Sequence, residues 1–494
     1  MTIQALPARP GIFLFEDTAG TTPPATALYT RTYFVGTSTS GAYLTPTPLG
    51  SLDDLTNLFG STPAITRNTI SAYLANTLQG LFFIRVPIAS VSTVTVNTAV
   101  PGAIASIILA GVTINYTVAT TDTIPTVIDA LINAINNSPL LNTEFLAHHD
   151  IDGSGNNNYA NKLFFVRAVN GVTFTISGST SVTTAVGTAN TTAARWDFIG
   201  AIQALQYSQK SADLGFIVCP EGFYNQAALY DRNAIANTME QTARKLGWMA
   251  LIDSANPSIV NHPRLVPAEF ANCSAVNGHM AAYYPYSLDT NNNDISSAAL
   301  TAAFGLQKYA ALGVEEPPAG IKYPFEGIGG LEFTLSAPQK DLLASSQVNA
   351  IIFKRGVGYV PFDAQTLSLN TSYKMISTRV ILNCIERTIF DTIDNSDYLF
   401  RSIGSRGLFY LTLRNTILGI LHQFYVGGAL YGNLPGDAYA VRCDASIQDP
   451  ASLEKGIIVA QIFVVPAVTV RQISGIVYRV QIAGLATALG LVAA

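Results

Sequence analysis

Asp150, Asp152 and Ser154 place oxygen atoms at positions 1, 3 and 5 of a loop whose sixth residue is Gly155, the spacing with which calcium loops begin. Position 12 is Asn161, where such loops carry a bidentate Glu, so the segment from Asp150 to Asn156 reads first as a polar turn. His148 and His149, just before it, read as a solvent-exposed pair. A Ser–His–Asp hydrolase needs its three groups held in one geometry. The five histidines, His148, His149, His262, His279 and His422, stand in no protease-like motif, and G-x-S-x-G is absent. The four cysteines, Cys219, Cys273, Cys384 and Cys443, are far apart, without C-x-x-C or a His at ligand spacing, and are expected to be buried reduced thiols. The pairs Gly329-Gly330 and Gly427-Gly428 do not stand between a strand and a helix start, as phosphate cradles do, and read as turn or helix-end glycines. No G-x-x-x-x-G-K-[ST] occurs. The chain is therefore expected to be no enzyme, with no catalytic residue, metal or cofactor.

Strands and surface composition carry more information than any reactive group. Of 494 residues, 49% are apolar and only 12% charged, about half the usual fraction near 25%. Thr, Ser, Asn, Gln or other subunits must then cover much of the surface, which favours a component of an assembly. A formal charge of -5 supplies no basic field for phosphates, so no nucleic-acid partner is expected. The first ten residues lack a basic stretch followed by an apolar one, and the apolar runs Gly456 to Val470 and Gly484 to Ala494 are shorter than a membrane span. Cytoplasmic synthesis and no membrane insertion are the expectations. Ser474 to Ile482 alternates apolar and polar residues as a half-buried strand does, with no obvious partner after it. Ile476, Val477, Tyr478, Val480 and Ile482 are its key positions.

The elements around these features suggest an α/β and α+β multidomain chain. Residues 1–28 read as an arm with one short strand, Ile12, Phe13, Leu14 and Phe15, set between Pro10 and a turn-rich stretch. Residues 29–89 read as a compact unit: strand 32–36, a helix opened by Ser51 with Asp53 and Asp54 in its first turn, a helix near 69–79, and strand 81–86. The composition turns to Thr, Val and Asn over residues 90–195, read as a small insertion with a hairpin at 106–120, a helix at 123–136 and a second hairpin at 162–177 across Asn170-Gly171. Residues 196–367 read as a middle α/β domain. Its helices lie at 197–206, 233–246 and 296–311, and its strands at 214–219, 248–253 and 280–286. Residues 368–470 are expected to return to the first unit, with helices at 373–393 and 407–426, and residues 471–494 form a second arm.

Several separated segments, in order, resemble contractile tail sheath proteins of bacteriophages and related injection particles. They are Pro10-Gly-Ile-Phe, Phe34-Val-Gly36, Leu55 to Gly60, Phe83-Ile-Arg-Val86, Ala281 to Tyr286, Pro317 to Gly320, Ala337-Pro338, Val348 to Ile351 and Arg355 to Gly358. The C-terminal segments carry most of the likeness: Tyr373 to Ile389 with Arg379 and Glu386, Ala440 to Asp444, Gly456 to Val465, and Ile476 to Ile482. Residues 90–195 lie outside it. One departure is Asp363-Ala-Gln-Thr-Leu-Ser368, where the family usually has Gly-Ala-Arg-Thr-Leu-Ser.

The resemblance implies a core of mixed sheet and helices built from the N- and C-terminal segments, and a homo-oligomer of stacked hexameric rings around an inner tube protein. It also implies baseplate and tail-terminator or cap proteins as partners, and a mature place in a phage tail or injection particle. The terminal strands would link subunits by adding to a neighbour's sheet, with Ile457, Ile458, Val459, Ile462 and Val464 on the acceptor strand. About 0.5 to 1.5 kcal/mol for each of roughly four to six main-chain hydrogen bonds would hold each linkage. Arg379, Arg387, Arg401, Arg406 and Arg414 form a basic set that could face an acidic tube, or only solvated helix ends. A non-contractile virion or adhesin protein, whose Thr-rich insertion binds a receptor, is the alternative.

Overall fold

The computed structural model describes residues 28–472 apart from 78–79, 143, 151–156, 169–173, 185–187, 190–192, 209–212, 274, 395–397, 400 and 404–406. At its centre is an eight-stranded sheet. In chain order its strands are β1 (Tyr29–Gly36), β2 (Thr47–Leu49), β3 (Leu81–Arg85), β4 (Leu214–Val218), β5 (Met249–Asp253), β6 (Met280–Tyr284), β7 (Val348–Lys354) and β8 (Gly358–Pro361). Their spatial order is β8-β7-β6-β5-β4-β1-β3-β2. The six inner strands are parallel, while β2 and β8 close the edges antiparallel. Strands buried on both faces read as unbroken apolar runs, and every residue of β4, β5 and β6 is buried.

Helices cover both faces. Ser51 caps α1 (Leu52–Phe59), accepting from the Asp54 backbone N–H as its position implied. Helix α2 (Ala64–Asn76) starts about five residues earlier than the apolar spacing suggested, directly after Pro63. Proline there breaks the preceding chain and leaves the first turn free to wind. Helices α3 (Arg195–Ser208) and α4 (Leu229–Leu246) pack on each other, as do α2 and α5 (Ser297–Leu312). Two long C-terminal helices, α6 (Ile376–Asp394) and α7 (Leu408–Val426), share the same apolar core.

One sheet therefore joins what the sequence separates into a first unit at 29–89 and a middle domain at 196–367. Strand β1 pairs with β3 on one side and with β4, 178 or more residues later, on the other; Phe34 faces both Phe83 and Val218. The expectation of two α/β units is corrected to one.

The insertion has a core of its own. Its strands Ser90–Val96, Phe145–His149, Leu163–Ala168, Val182–Thr184 and Thr188–Ala189 form one sheet, and Ile104–Leu109, Val112–Thr117 and Ile176–Gly178 another. The helix Ile124–Asn137 buries Val127, Ile128, Leu131, Ile132 and Ile135 at helical spacing. The hairpin expected at 106–120 forms, turning at Ala110 and Gly111. The one expected at 162–177 does not: Leu163–Ala168 pairs with Ser90–Val96 and Phe145–His149, whereas Ile176–Gly178 pairs with Ile104–Leu109 in the other sheet. Sequence nearness loses there to non-local pairing over a buried face. Gly329 and Gly330 lie in a short strand, Ile328–Leu331, rather than in a turn.

Candidate assembly interface

After α7 the chain forms a small antiparallel pair, β9 (Tyr439–Arg442) and β10 (Gln461–Val464). The pairing of β10 continues past its end on the same side. The Val465 N–H donates to Ala438 O at 2.9 Å, the Tyr431 N–H to Val465 O at 2.8 Å, and the Ala467 N–H to Ala429 O at 2.9 Å. Leu430 bridges to Pro466. Antiparallel ladders alternate between inward and outward backbone groups, so the N–H and C=O of Ile462 and Val464 face away from β9. They meet no hydrogen-bond partner among the described residues. The opposite edge is closed: Val441 O accepts from Arg414 Nε at 3.1 Å, and the Tyr439 N–H donates to Pro435 O. An open row of backbone groups is a template for another strand.

The strand expected to act as acceptor is shorter than the apolar run suggested. Ile462 and Val464 lie in β10, but Ile457, Ile458 and Val459 lie in no strand. The reason is Gln448, whose side-chain amide mimics a peptide: Oε1 accepts the Val459 N–H at 2.9 Å and Nε2 donates to Val459 O at 2.7 Å. Nothing in the local sequence marks Gln448 for that part. The linking positions Ile12, Phe13, Leu14, Phe15, Ile476, Val477, Tyr478, Val480 and Ile482 lie outside the described residues.

The arginine set divides. Arg379 is wholly buried, which corrects its reading as a surface charge. Its Nε donates to Asn383 Oδ1 at 2.9 Å, its Nη2 lies 3.2 Å from Glu386 Oε1, and the Tyr373 ring lies 5.6 Å from its guanidinium carbon. Arg387 is paired with Asp391 at 2.8 Å. Arg401 and Arg414 are exposed, and Arg406 lies outside the described residues. Arg414 lines an open cleft of about 470 Å³ with Tyr410, Leu411, Arg442 and Asp444.

His148 is not a solvent-exposed residue. Its ring lies between Phe165, 5.5 Å away, and Trp196, 4.9 Å away, and burial pushes it down to about 3, helped by Arg167 and Arg195. His149 Nε2 meets Asp129 at 2.6 Å. Asp150 accepts from the amides of Asn158 and Asn161 at 2.9 and 3.1 Å, while the rest of the segment read as a polar turn, residues 151–156, lies outside the described residues. Cys219, Cys384 and Cys443 are buried free thiols, and burial raises all of them; Cys273 is partly covered.

In open α/β sheets, ligands settle where neighbouring strands lead their connections opposite ways. Here that place is the carboxyl end of β1 and β4, and side chains of the chain itself occupy it. Buried Glu221 accepts from the Thr37 N–H and hydroxyl, both at 2.7 Å, and burial raises its carboxyl. A Cβ on Gly36 would meet Phe83 and Thr66 at 3.3 Å. Next to it Asp253 accepts from Ser296 Oγ and from the Ala298 N–H at 2.9 Å, holding the start of α5.

No protein-family model matches the sequence, and no curated relative matches it. Solved structures do. The anti-feeding prophage helical sheath in the contracted state is 16% identical, with a TM-score of 0.57 over 97% of this chain and 100% of that one. The sheath complex of PVC, an extracellular contractile injection system, in the contracted state is 13% identical, with a TM-score of 0.54 over 97% and 99%. A chain of the contracted anti-feeding prophage baseplate is 13% identical, with a TM-score of 0.58 over 96% and 99%. None of the helices among the described residues is long and apolar enough to cross a membrane. Across nearly its whole length, the chain has the fold of contractile injection system sheath proteins.

Proposed function

We propose that the chain is the structural subunit of a contractile sheath, polymerising as stacked hexameric rings around an inner tube and shortening on triggering to drive that tube through a target envelope. The observation that carries this is the likeness to the contracted anti-feeding prophage sheath, which takes in 97% of this chain and the whole of the other. The open edge of β10 supports it, because a subunit that links to copies of itself needs an acceptor of this kind. On this reading the strands at Ile12 to Phe15 and Ile476 to Ile482 come from neighbours; one adds to that edge, bonding through the outward groups of Ile462 and Val464, and the other pairs with the strand so added. Main-chain bonds of this sort tolerate rotation of the bodies they join.

The role is structural rather than enzymatic, and shortening draws on a metastable lattice that gains contacts as it contracts. Exposed Arg401 and Arg414, with Arg387, face an acidic tube surface. Baseplate and terminator or cap proteins close the two ends. The subunit is made in a bacterial cytoplasm and ends in a phage tail or injection particle. Electron microscopy of the purified full chain tests the assembly: long hollow tubes of sixfold stacked rings are expected, and monodisperse monomers would replace this reading with a monomeric receptor-binding protein.

A further inference from the structure

The C-terminal chain does not leave the body where its last strand ends. Beyond Val464 it runs on as an extended strap with alternate residues turned inward, and each inward residue has one anchor. The Ala467 N–H donates to Ala429 O at 2.9 Å. The Thr469 hydroxyl meets the Ser377 hydroxyl, in the first turn of α6, at 2.7 Å. Arg471 forms a two-point ion pair with Asp363, Nε to Oδ1 at 3.0 Å and Nη2 to Oδ2. The outward residues between these anchors, Val468 and Val470, are 73% and 75% exposed. The strap thus lies on the surface with little apolar burial beneath it, held by polar contacts.

Asp363 is built to receive the arginine. Its carboxylate is oriented by the Ala364 N–H on Oδ1 and by Gln365 Nε2 on Oδ2, each at 2.8 Å. Its side chain is only 12% exposed, against 34% for Arg471. A planar guanidinium fork facing a fixed carboxylate is a specific arrangement as well as an attractive one. Because the strap buries so little else, this pair is its principal fastening.

We propose that Arg471 and Asp363 form a clasp that sets where the C-terminal arm leaves the subunit. Opening it moves the last fastening back from Arg471 to Thr469, which Ser377 still holds, adding two residues of reach, about 7 Å of extended chain. The part played by that reach, slack between linked subunits as their bodies move, rests on the sheath reading above. The clasp itself belongs to the single subunit and is tested there.

The test places a nitroxide on Val470→Cys in the full chain, with Cys273, the one thiol that is not fully buried, changed to Ser. With the clasp intact the label is expected to show restricted motion. Asp363→Asn or Arg471→Gln should each shorten its correlation time at least threefold, and the double variant should do no more than either alone. Arg471 is a surface side chain, so Arg471→Gln keeps the fold if Asp363→Asn disturbs its loop. A label that stays restricted in Arg471→Gln overturns the clasp, whether or not the unaltered chain builds tubes.

Discussion

The side-chain amide of Asn383, on α6, donates to the Tyr29 hydroxyl at the first residue of β1, 2.6 Å apart in space and 354 residues apart in sequence. The same amide reaches Trp248 O at 3.4 Å, and its oxygen accepts from buried Arg379. One side chain thus ties the C-terminal helix to the central sheet.

Replacing Asn383 with Leu would take one partner each from the buried Arg379 guanidinium, which still meets Glu386, and from the Tyr29 hydroxyl, which still reaches Gly247 O. A lost hydrogen bond to a charged group costs about 1.5 to 3 kcal/mol and a neutral one about 1 kcal/mol, so a loss of about 3 kcal/mol is expected. Tyr29→Phe, which removes that neutral bond and a long one of 3.4 Å to Gly247 O, should cost about 1 kcal/mol. Urea unfolding of the two variants would show the difference in midpoint, and equal midpoints would deny Asn383 its central place.

Asp253 gives the fold a pH dependence of known sign. Burial pushes its carboxyl up to about 6 from an ordinary value of 3.8, outweighing the donors from Ser296 and the start of α5. The folded chain therefore holds this proton more tightly than the unfolded one. Its contribution is full below the unfolded value and is lost as pH rises towards 6. A rise of that size corresponds to about 3 kcal/mol. Asp253→Asn cannot titrate, so the stability of the native chain relative to this variant should fall by about that amount between pH 3.5 and 7. A difference that stays flat across that range would mean the carboxyl is not held neutral.

The insertion is fastened to the main body by an ion pair. Arg167, on an insertion strand, meets Asp197 of α3 through Nη2, 2.7 Å from both carboxylate oxygens, with side chains only 6% and 4% exposed. Removing one member of such a pair strands the other charge, at a cost of about 3 to 5 kcal/mol. Arg167→Leu should therefore loosen the insertion first, seen in calorimetry as an earlier transition separate from the main one. Adding Asp197→Asn should recover part of the loss. A single unshifted transition would show that the pair is not what holds the insertion.

The sequence displays most strongly what is local. Leu214–Val218 and the first four residues of Met249–Asp253 form unbroken apolar runs because both faces of the sheet are covered, and Ser51 announces the helix it caps. Which distant strands meet is not local: β1 could have paired with any buried apolar strand, and its neighbour β4 is chosen by the whole fold. The burial of Arg379 escapes a reading by charge alone for a related reason. On α6 it stands four residues before Asn383 and seven before Glu386, a polar stripe on one helical face amid Ile376, Val380 and Ile381. That spacing was the available sign that the arginine is spent inside. Gln448 and the Asp363–Arg471 pair gave none, since their partners are fixed by packing across 11 and 108 residues. Asp363 and Gln365 did stand out as departures from the family's usual pattern, and in the structure they touch.

The open edge of β10 makes the sharpest test of assembly. The N–H of Ile462 faces outward, so Ile462→Pro removes a donor that the ladder to β9 does not use, while denying it to an incoming strand. The N–H of Phe463, by contrast, faces Ala440 across that ladder. Ile462→Pro is therefore expected to give a soluble folded subunit, with a melting temperature within a few degrees of the unaltered chain, that no longer forms tubes. Deleting residues 474–494, which removes the donor rather than the acceptor, should have the same effect. Phe463→Pro should instead weaken the β9–β10 pair itself. If Ile462→Pro subunits still build tubes of normal length under the electron microscope, strand addition at this edge is not the link between subunits, whatever else the sheath fold does.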